Sequence, residues 1–283
     1  MVMLLLAGLA LIGGVFLFSM IRAGGFAVRA EGVALGAVAN FFDTLGIGSF
    51  APSTAWIKLR RLVPDSYIPA TLNVGHALPS IAQALIFITL VEVDPILLVG
   101  CIACAVAGAL VGAPIVQRLP LQRLQAIVGV ALLIAAALFA AGNLKLMPAG
   151  GTATALAPPV MVMAFVIHFM LGALMTAGIG LYAPSLVLLS LLGLNPKAVF
   201  PIMMGACAFL MPSAGFRFLK TDRIDHHVVL GMAIGGVPAV IIAAYVVKEL
   251  PLDVLRWGVV VIVLYTALIM LRAGFIKKPL ISG

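Results

Sequence analysis

Two short runs of this 283-residue chain have the make-up of an anion-binding turn. Gly46-Ile47-Gly48-Ser49-Phe50-Ala51-Pro52-Ser53 returns 132 residues later as Gly178-Ile179-Gly180-Leu181-Tyr182-Ala183-Pro184-Ser185. Glycine admits positive φ, and proline is at home in the first turn of a helix, where backbone N–H groups are spare. Each run therefore reads as a helix end, a glycine turn and a fresh helix start. Such a start offers unpaired N–H donors and the positive end of the helix dipole, which together favour an anion. Ser53 and Ser185 add a hydroxyl one residue after each proline, while Ser49 and Tyr182 sit in the turns. Gly46, Gly48, Ser49, Ser53, Gly178, Gly180, Tyr182 and Ser185 are thus candidate substrate ligands, with Asn73 beside them. Two such starts facing each other can hold a small oxyanion without Lys or Arg. The competing reading, glycine and proline merely packing short helices, accounts for one copy better than for two at matching positions.

Ionisable residues near the first run add a second chemistry. Asn40, Asp43 and Thr44 share a face just before it. Pro69, Asn73, His76, Ser80 and Gln83 recur every three or four residues and form a polar helix stripe. The second half has His168 and Thr176 near its own run, but small residues where the stripe would be. Ionisable groups in apolar segments mark pathways or proton relays. Asp43 and His76 are the candidates for proton coupling, with Asn40, Thr44, Thr71, Asn73, His168 and Thr176 for coupling or cavity lining. Interhelical hydrogen bonding is the plain alternative. On this reading both halves offer helix starts, while Asp43 and His76 belong to the first alone.

Other groups carry less. His226 and His227, with Asp222 and Asp225, lie beside Lys220 and Arg223 and read as a solvated loop rather than a metal site. Cys101 and Cys104 have redox spacing but lie in an apolar run; with Cys207 they read as packing thiols. The sequence has no phosphate-binding Walker motif and no nucleophile elbow, which argues against ATP hydrolysis. Neither a metal nor a cofactor is expected.

The elements that position these residues are membrane helices. The chain is 64% hydrophobic and 9% charged, against about 25% charged in soluble domains, so water is not the solvent for most of its surface. Apolar stretches of about 20 residues suffice to cross a bilayer as helix, and no alternating pattern supports a β-barrel. The net charge of +8 reflects retained loops rather than a nucleic-acid surface. Residues 1–21 lack the basic leader of a secretory signal and read as a first span. Further spans fall at Tyr67–Leu90, Pro95–Val116, Leu121–Gly142, Ala198–Leu219, His227–Val247 and Asp253–Leu271.

Glu31–Ile57 and Ala157–Leu194, which hold the glycine turns, fit either long broken helices or hairpins. Charge favours hairpins. With five segments per repeat and the second repeat inverted, all the Lys and Arg share one face except Lys145, Lys197, Lys248 and Arg256. Nine simple crossings would instead divide them almost evenly, against the cytoplasmic bias of basic loops. Arms of about 13 residues reach ~20 Å as helix. That is too short to cross, so they should be re-entrant, with the turns buried in protein or lining a wet cavity. The expected fold is an all-α polytopic membrane protein with two inverted-topology repeats, residues 31–143 and 157–272. Each has a re-entrant helical hairpin plus three spans, and one extra N-terminal helix precedes them. Basic loops and the C-terminus would be cytoplasmic.

The duplicated turn followed by Ala-Pro-Ser, the run Leu192-Gly193-Leu194-Asn195-Pro196-Lys197-Ala198-Val199, and Leu-Pro-Leu at 119–121 and 250–252 resemble the TauE/SafE family. That family is also called the sulfite exporter or 4-toluene sulfonate uptake permease family. The resemblance covers about residues 32 to 272. It implies secondary transport of sulfite, sulfoacetate, other organosulfonates or related small sulfur anions across the bacterial inner membrane, driven by an ion gradient. Ala70-Thr71-Leu72-Asn73-Val74-Gly75-His76 stands where a Gly-Thr-Ser-like run is common in the family, and the first turn lacks a third consecutive glycine. Specificity and the coupling ion, proton or sodium, therefore stay open. The expected partners are a small anion, that ion and the lipid bilayer, with a homodimer open and no nucleic acid. The function expected is alternating-access transport of such an anion. Its competitors are an intramembrane enzyme and a membrane assembly or scaffold protein.

Overall fold

A computed structural model describes residues 1–46, 48–116, 121–144, 151–175, 180–221, 223–249 and 251–275. Twelve α-helices follow one another among them: α1 (Val2–Gly24), α2 (Ala30–Thr44), α3 (Phe50–Arg60), α4 (Ile68–Gly75), α5 (Ala77–Leu90), α6 (Pro95–Val116), α7 (Leu121–Asn143), α8 (Pro158–Met175), α9 (Tyr182–Leu191), α10 (Pro196–Phe218), α11 (His226–Glu249) and α12 (Leu252–Phe275). In order, α2, α3, α4–α5, α6 and α7 line up with α8, α9, α10, α11 and α12; α3, α6 and α7 start 132, 131 and 131 residues before their counterparts, whereas α2 and α4 start 128 before theirs.

Five of these segments are long and apolar enough to cross a membrane: α1, the α4–α5 pair, α8, α10 and α11. Within α6, α7 and α12 the apolar portions are shorter. At 15, 11 and 10 residues, α2, α3 and α9 reach only about 22, 16 and 15 Å. The 18 residues of α8 reach about 27 Å, longer than the arm expected, because no charge interrupts Pro158–Met175.

Hydrogen bonds show where the broken stretches begin and end. Arg60, closing α3, donates to Glu31 in the first turn of α2 at 2.9 Å. Arg29 donates to the Leu62 carbonyl at 3.2 Å and approaches Asp225 at 3.8 Å. The chain thus doubles back between α2 and α3. Likewise Asn195 N donates to Ala153 O at 2.7 Å, joining the approach to α8 with the exit from α9. Asp94 N donates to Thr154 O at 2.9 Å, bringing the start of α6 to the same place.

Packing partners are exchanged between the halves. α2 lies against α11 and α8 against α6, whereas α5 packs on α10 and α7 on α12. Small residues permit the first two contacts. A Cβ on Gly36 would overlap the Met232 carbonyl, and one on Gly172 or Gly108 would overlap the Ala105 or Phe169 carbonyl. Without a hydrophobic force between helices in lipid, such close backbone approach is what holds them together.

The span at 68–90 is bent where it matters. α4 and α5 are separated by His76 at φ −94° and ψ −5°. Pro79 has no N–H for the Gly75 carbonyl, so the helix ladder is interrupted there. At its far end α5 meets α10 through Phe87 and Phe200, stacked with centroids 5.3 Å apart.

Candidate functional site

Both glycine runs break a helix. α2 ends at Thr44 and α3 starts at Phe50, with Gly46 at φ 99° and Gly48 at φ 87°. Those angles are where glycine is needed. α8 ends at Met175 and α9 starts at Tyr182; Thr176 and Gly178 lie outside the described residues. Gly180 is not in the left-handed region, and a Cβ there would meet no atom of the described residues within 4 Å. Pro52 and Pro184 occupy the first turns as expected. Neither helix start carries a side-chain cap, so its first N–H groups are not taken up by a capping side chain.

The first break lies against α9. A Cβ on Gly46 would stand 3.3 Å from Leu186 of α9 and 3.8 Å from Phe200. Polar contact is carried by one amide. Gln83 of α5 donates through Nε2 to Asp43 Oδ2 and to Thr44 Oγ1, both at 2.9 Å. Its Oε1 accepts from the Tyr182 hydroxyl at 2.7 Å. Thr44 can accept because its own proton goes to the Asn40 carbonyl at 2.7 Å. Ser49 lies beside the Asp43 carboxylate, yet its buried hydroxyl makes no hydrogen bond of good geometry. Asn40, Asp43, Thr44, Ser49, Ser80 and Gln83 are all buried.

The motif serines are each held by a histidine. Ser53 Oγ lies 2.8 Å from His76 Nε2, and His76 Nδ1 lies 3.0 Å from Asn40 Oδ1. Asn40 donates through Nδ2 to Gly36 O at 2.7 Å, which leaves Oδ1 as the acceptor. His76 Nδ1 must therefore be the N–H, and Nε2 accepts from Ser53. In the second half Ser185 Oγ lies 3.0 Å from His168 Nε2, and His168 Nδ1 lies 3.0 Å from the Ala164 carbonyl. A carbonyl only accepts, so the same tautomer is fixed there. A histidine bound to the motif serine is thus not confined to the first half, as the sequence had implied, although His76 and His168 come from different positions in their halves.

Thr71 and Asn73 stand differently. They donate to Tyr67 O and Pro69 O in their own turn, at 3.0 and 2.9 Å. Sequence reasoning placed Gln83 in the polar stripe but gave it no site role. The signal was there, since a buried amide three or four residues from Ser80 and Phe87 must find partners. Among the described residues no three His, Cys, Asp or Glu side chains are placed to hold a metal.

Residues 160–281 match the family model described as Sulfite exporter TauE/SafE. That match supports membership of the TauE/SafE family. No curated protein and no solved structure matches the chain. The TauE/SafE match takes in His168, Tyr182 and Ser185, the second-half contribution to the site. That family implies a membrane transporter of sulfite-type anions, and the five helices long and apolar enough to cross a bilayer support a multi-pass membrane protein.

A cavity of about 260 Å³ opens at the far end of α5. Glu92, Thr154, Asn195 and Lys197 line it together with Phe87 and Phe200. The stacked rings line it, and Gln83 lies one turn before Phe87 along α5. Phe200 also faces Gly46. Phe200 thus touches both the cavity and the first glycine turn.

Proposed function

We propose that the protein is a secondary active transporter of a small anion, sulfite or an organosulfonate, working by alternating access with ion-gradient coupling. The observation that carries this reading is the meeting of two broken helices at uncapped starts, with Gln83 joining Asp43 and Thr44 to Tyr182. Helix starts present N–H donors to an anion without a fixed cation. An anion held only in this way can be released again when the halves move. The residues proposed to touch substrate are Gly46, Gly48, Ser49, Ser53, Gly180, Tyr182 and Ser185, with Asp43, Asn40, Thr44, His76 and His168 behind them.

The architecture proposed is a pair of inverted repeats with re-entrant hairpins. The Glu31–Arg60 and Ala153–Asn195 contacts support it by joining the two ends of each broken stretch. The 23 residues of Ile68–Leu90 separate these two junctions by about 34 Å of helix. Basic loops then gather on the Arg60 side, proposed to be cytoplasmic in a bacterial inner membrane. Single cysteines at Arg60 and Lys220 are expected to react with an impermeant maleimide from one face, and a cysteine at Lys197 from the other. Labelling of positions 60 and 220 from opposite faces would exclude the inverted arrangement.

One observation favours the enzyme reading. Ser53, His76 and Asn40 have the spacing of a nucleophile, base and orienting group. The pairing recurs at Ser185 and His168, however, and an enzyme has no need of two on opposite halves. Purified protein in liposomes separates the readings. Labelled sulfite and sulfoacetate are expected to undergo counterflow unchanged, with no exchange of a neutral sugar. Chemical turnover without flux would select the enzyme.

A further inference from the structure

We propose that the two serine–histidine pairs are proton-controlled hydroxyl donors, so that uptake of a proton at His76 or His168 arms Ser53 or Ser185 to bind the anion. This rests on the transport reading above and names the proton as its coupling ion. The hydrogen-bond network supplies the argument. With Nδ1–H committed to Asn40 Oδ1 or to the Ala164 carbonyl, Nε2 carries the lone pair, and the serine hydrogen points at it. In that state each serine turns only oxygen lone pairs toward the helix start, which repel an anion.

Addition of a solvent proton to Nε2 reverses the pair. Nε2–H now donates to Oγ, the hydroxyl rotates about Cβ–Oγ, and its hydrogen becomes free for the anion. No heavy-atom bond is made or broken, and the proton leaves again to solvent when the site empties. A lone buried imidazolium or a lone buried anion is strongly disfavoured, while the two together compensate each other. Each therefore promotes binding of the other to the same degree, as linkage requires.

The origins of the histidines strengthen the case. Ser53 and Ser185 are counterparts in the two runs, but His76 and His168 are not. At 132-residue spacing the counterpart of His76 is Ala208, and that of His168 is Gly36. His76 arrives from the α4–α5 bend and His168 from inside α8. Two unrelated positions deliver the same Nε2–Oγ contact, which a packing relic of duplication does not explain.

The other titratable groups around the pairs are few. Among the elements around His76, α2 carries Asp43 and, at its start, Glu31; α10 carries Cys207, which lies against Met175; and Lys58 and Arg60 of α3 and His226 and His227 of α11 stand at helix ends. Toward His168, α6 brings Cys101 and Cys104 and α9 brings Tyr182. Among the described residues no carboxylate is hydrogen-bonded to either imidazole.

Methanesulfonate is the probe of choice, since it stays ionised throughout the range and takes up no proton itself. Calorimetric titration of the full chain, in buffers of different ionisation enthalpy between pH 5 and 8, counts protons bound with the anion. The expected Kd tightens about tenfold per unit fall in pH for each linked proton, with net proton uptake. His76→Gln together with His168→Gln, which can keep a hydrogen bond to each serine, is expected to flatten that slope while thermal unfolding is little changed. A flat wild-type Kd with no proton uptake overturns the proposal without recourse to variants. So does a slope that persists in the double variant and disappears in Asp43→Asn. No methanesulfonate binding at any pH, with sulfite counterflow intact, overturns it as well. Absence of counterflow with every sulfur anion overturns the transport reading itself.

Discussion

Replacing Gly180 by valine is expected to leave the protein folded and to reduce anion flux by about a hundredfold or more. Nothing in the backbone requires glycine there. Its φ lies outside the left-handed region, and an added Cβ would meet no atom of the described residues within 4 Å. A substitution that disturbs no neighbour usually changes stability by no more than about 0.5 kcal/mol. Yet Gly180 stands two residues before α9, beside the uncapped N–H groups proposed to receive the anion. A branched side chain would occupy that approach, and displacement of a bound group by about 1 Å can lower a rate ~100-fold. Thermal unfolding and counterflow, measured together, check the split. Gly46→Ala supplies the contrast, because φ 99° and the 3.3 Å approach of Leu186 make that position intolerant on structural grounds. It should lose stability by at least about 1 kcal/mol. A valine at 180 that transports normally would remove this turn from the substrate path.

Gln83→Leu should be the most damaging single change to the cluster. It deletes the donors to Asp43 and Thr44 and the acceptor for Tyr182 at one stroke. The carboxyl and the phenol then remain buried with those partners gone, each at about 1–3 kcal/mol. A loss on the order of 3 kcal/mol in unfolding free energy is expected, with flux below detection. Tyr182→Phe removes one bond and one hydroxyl together, so about 1 kcal/mol is expected from it alone. In the double variant the two effects should fall short of their sum, since both act through the same contact. Full additivity would mean that the amide does not join the two breaks energetically.

Much of the architecture was legible because it rests on local chemistry. Gly46, Gly48, Pro52 and Pro184 announce helix breaks through backbone geometry, which sequence records directly, and the breaks fall where the motif put them. The starts of α3, α6 and α7 keep the spacing of the repeated run in the second half for the same reason. The serine–histidine pairs were not legible. Contact between His76 and Ser53 depends on the bend at Pro79 bringing α4–α5 against α3, and His168 reaches Ser185 only because α8 and α9 lie side by side. Neither distance follows from periodicity. Gln83 was visible as a polar residue in a stripe, but whether such an amide faces a cavity, a neighbouring helix or its own turn is decided by packing. Asn73, in the same stripe, took the last option.

The exchange of α2 and α8 between opposite halves has a mechanical consequence. Each arm is clasped by the fourth helix of the other half, through glycine contacts too close to slip. The halves therefore behave as two linked hands rather than as two blocks joined by a strap. A rotation of α11 carries α2 and the first turn with it, and a rotation of α6 carries α8 and the second. Neither turn can shift alone while its clasp holds. Under the alternating access proposed above, the transition that opens one face of the molecule is mechanically the same event as the one that closes the other.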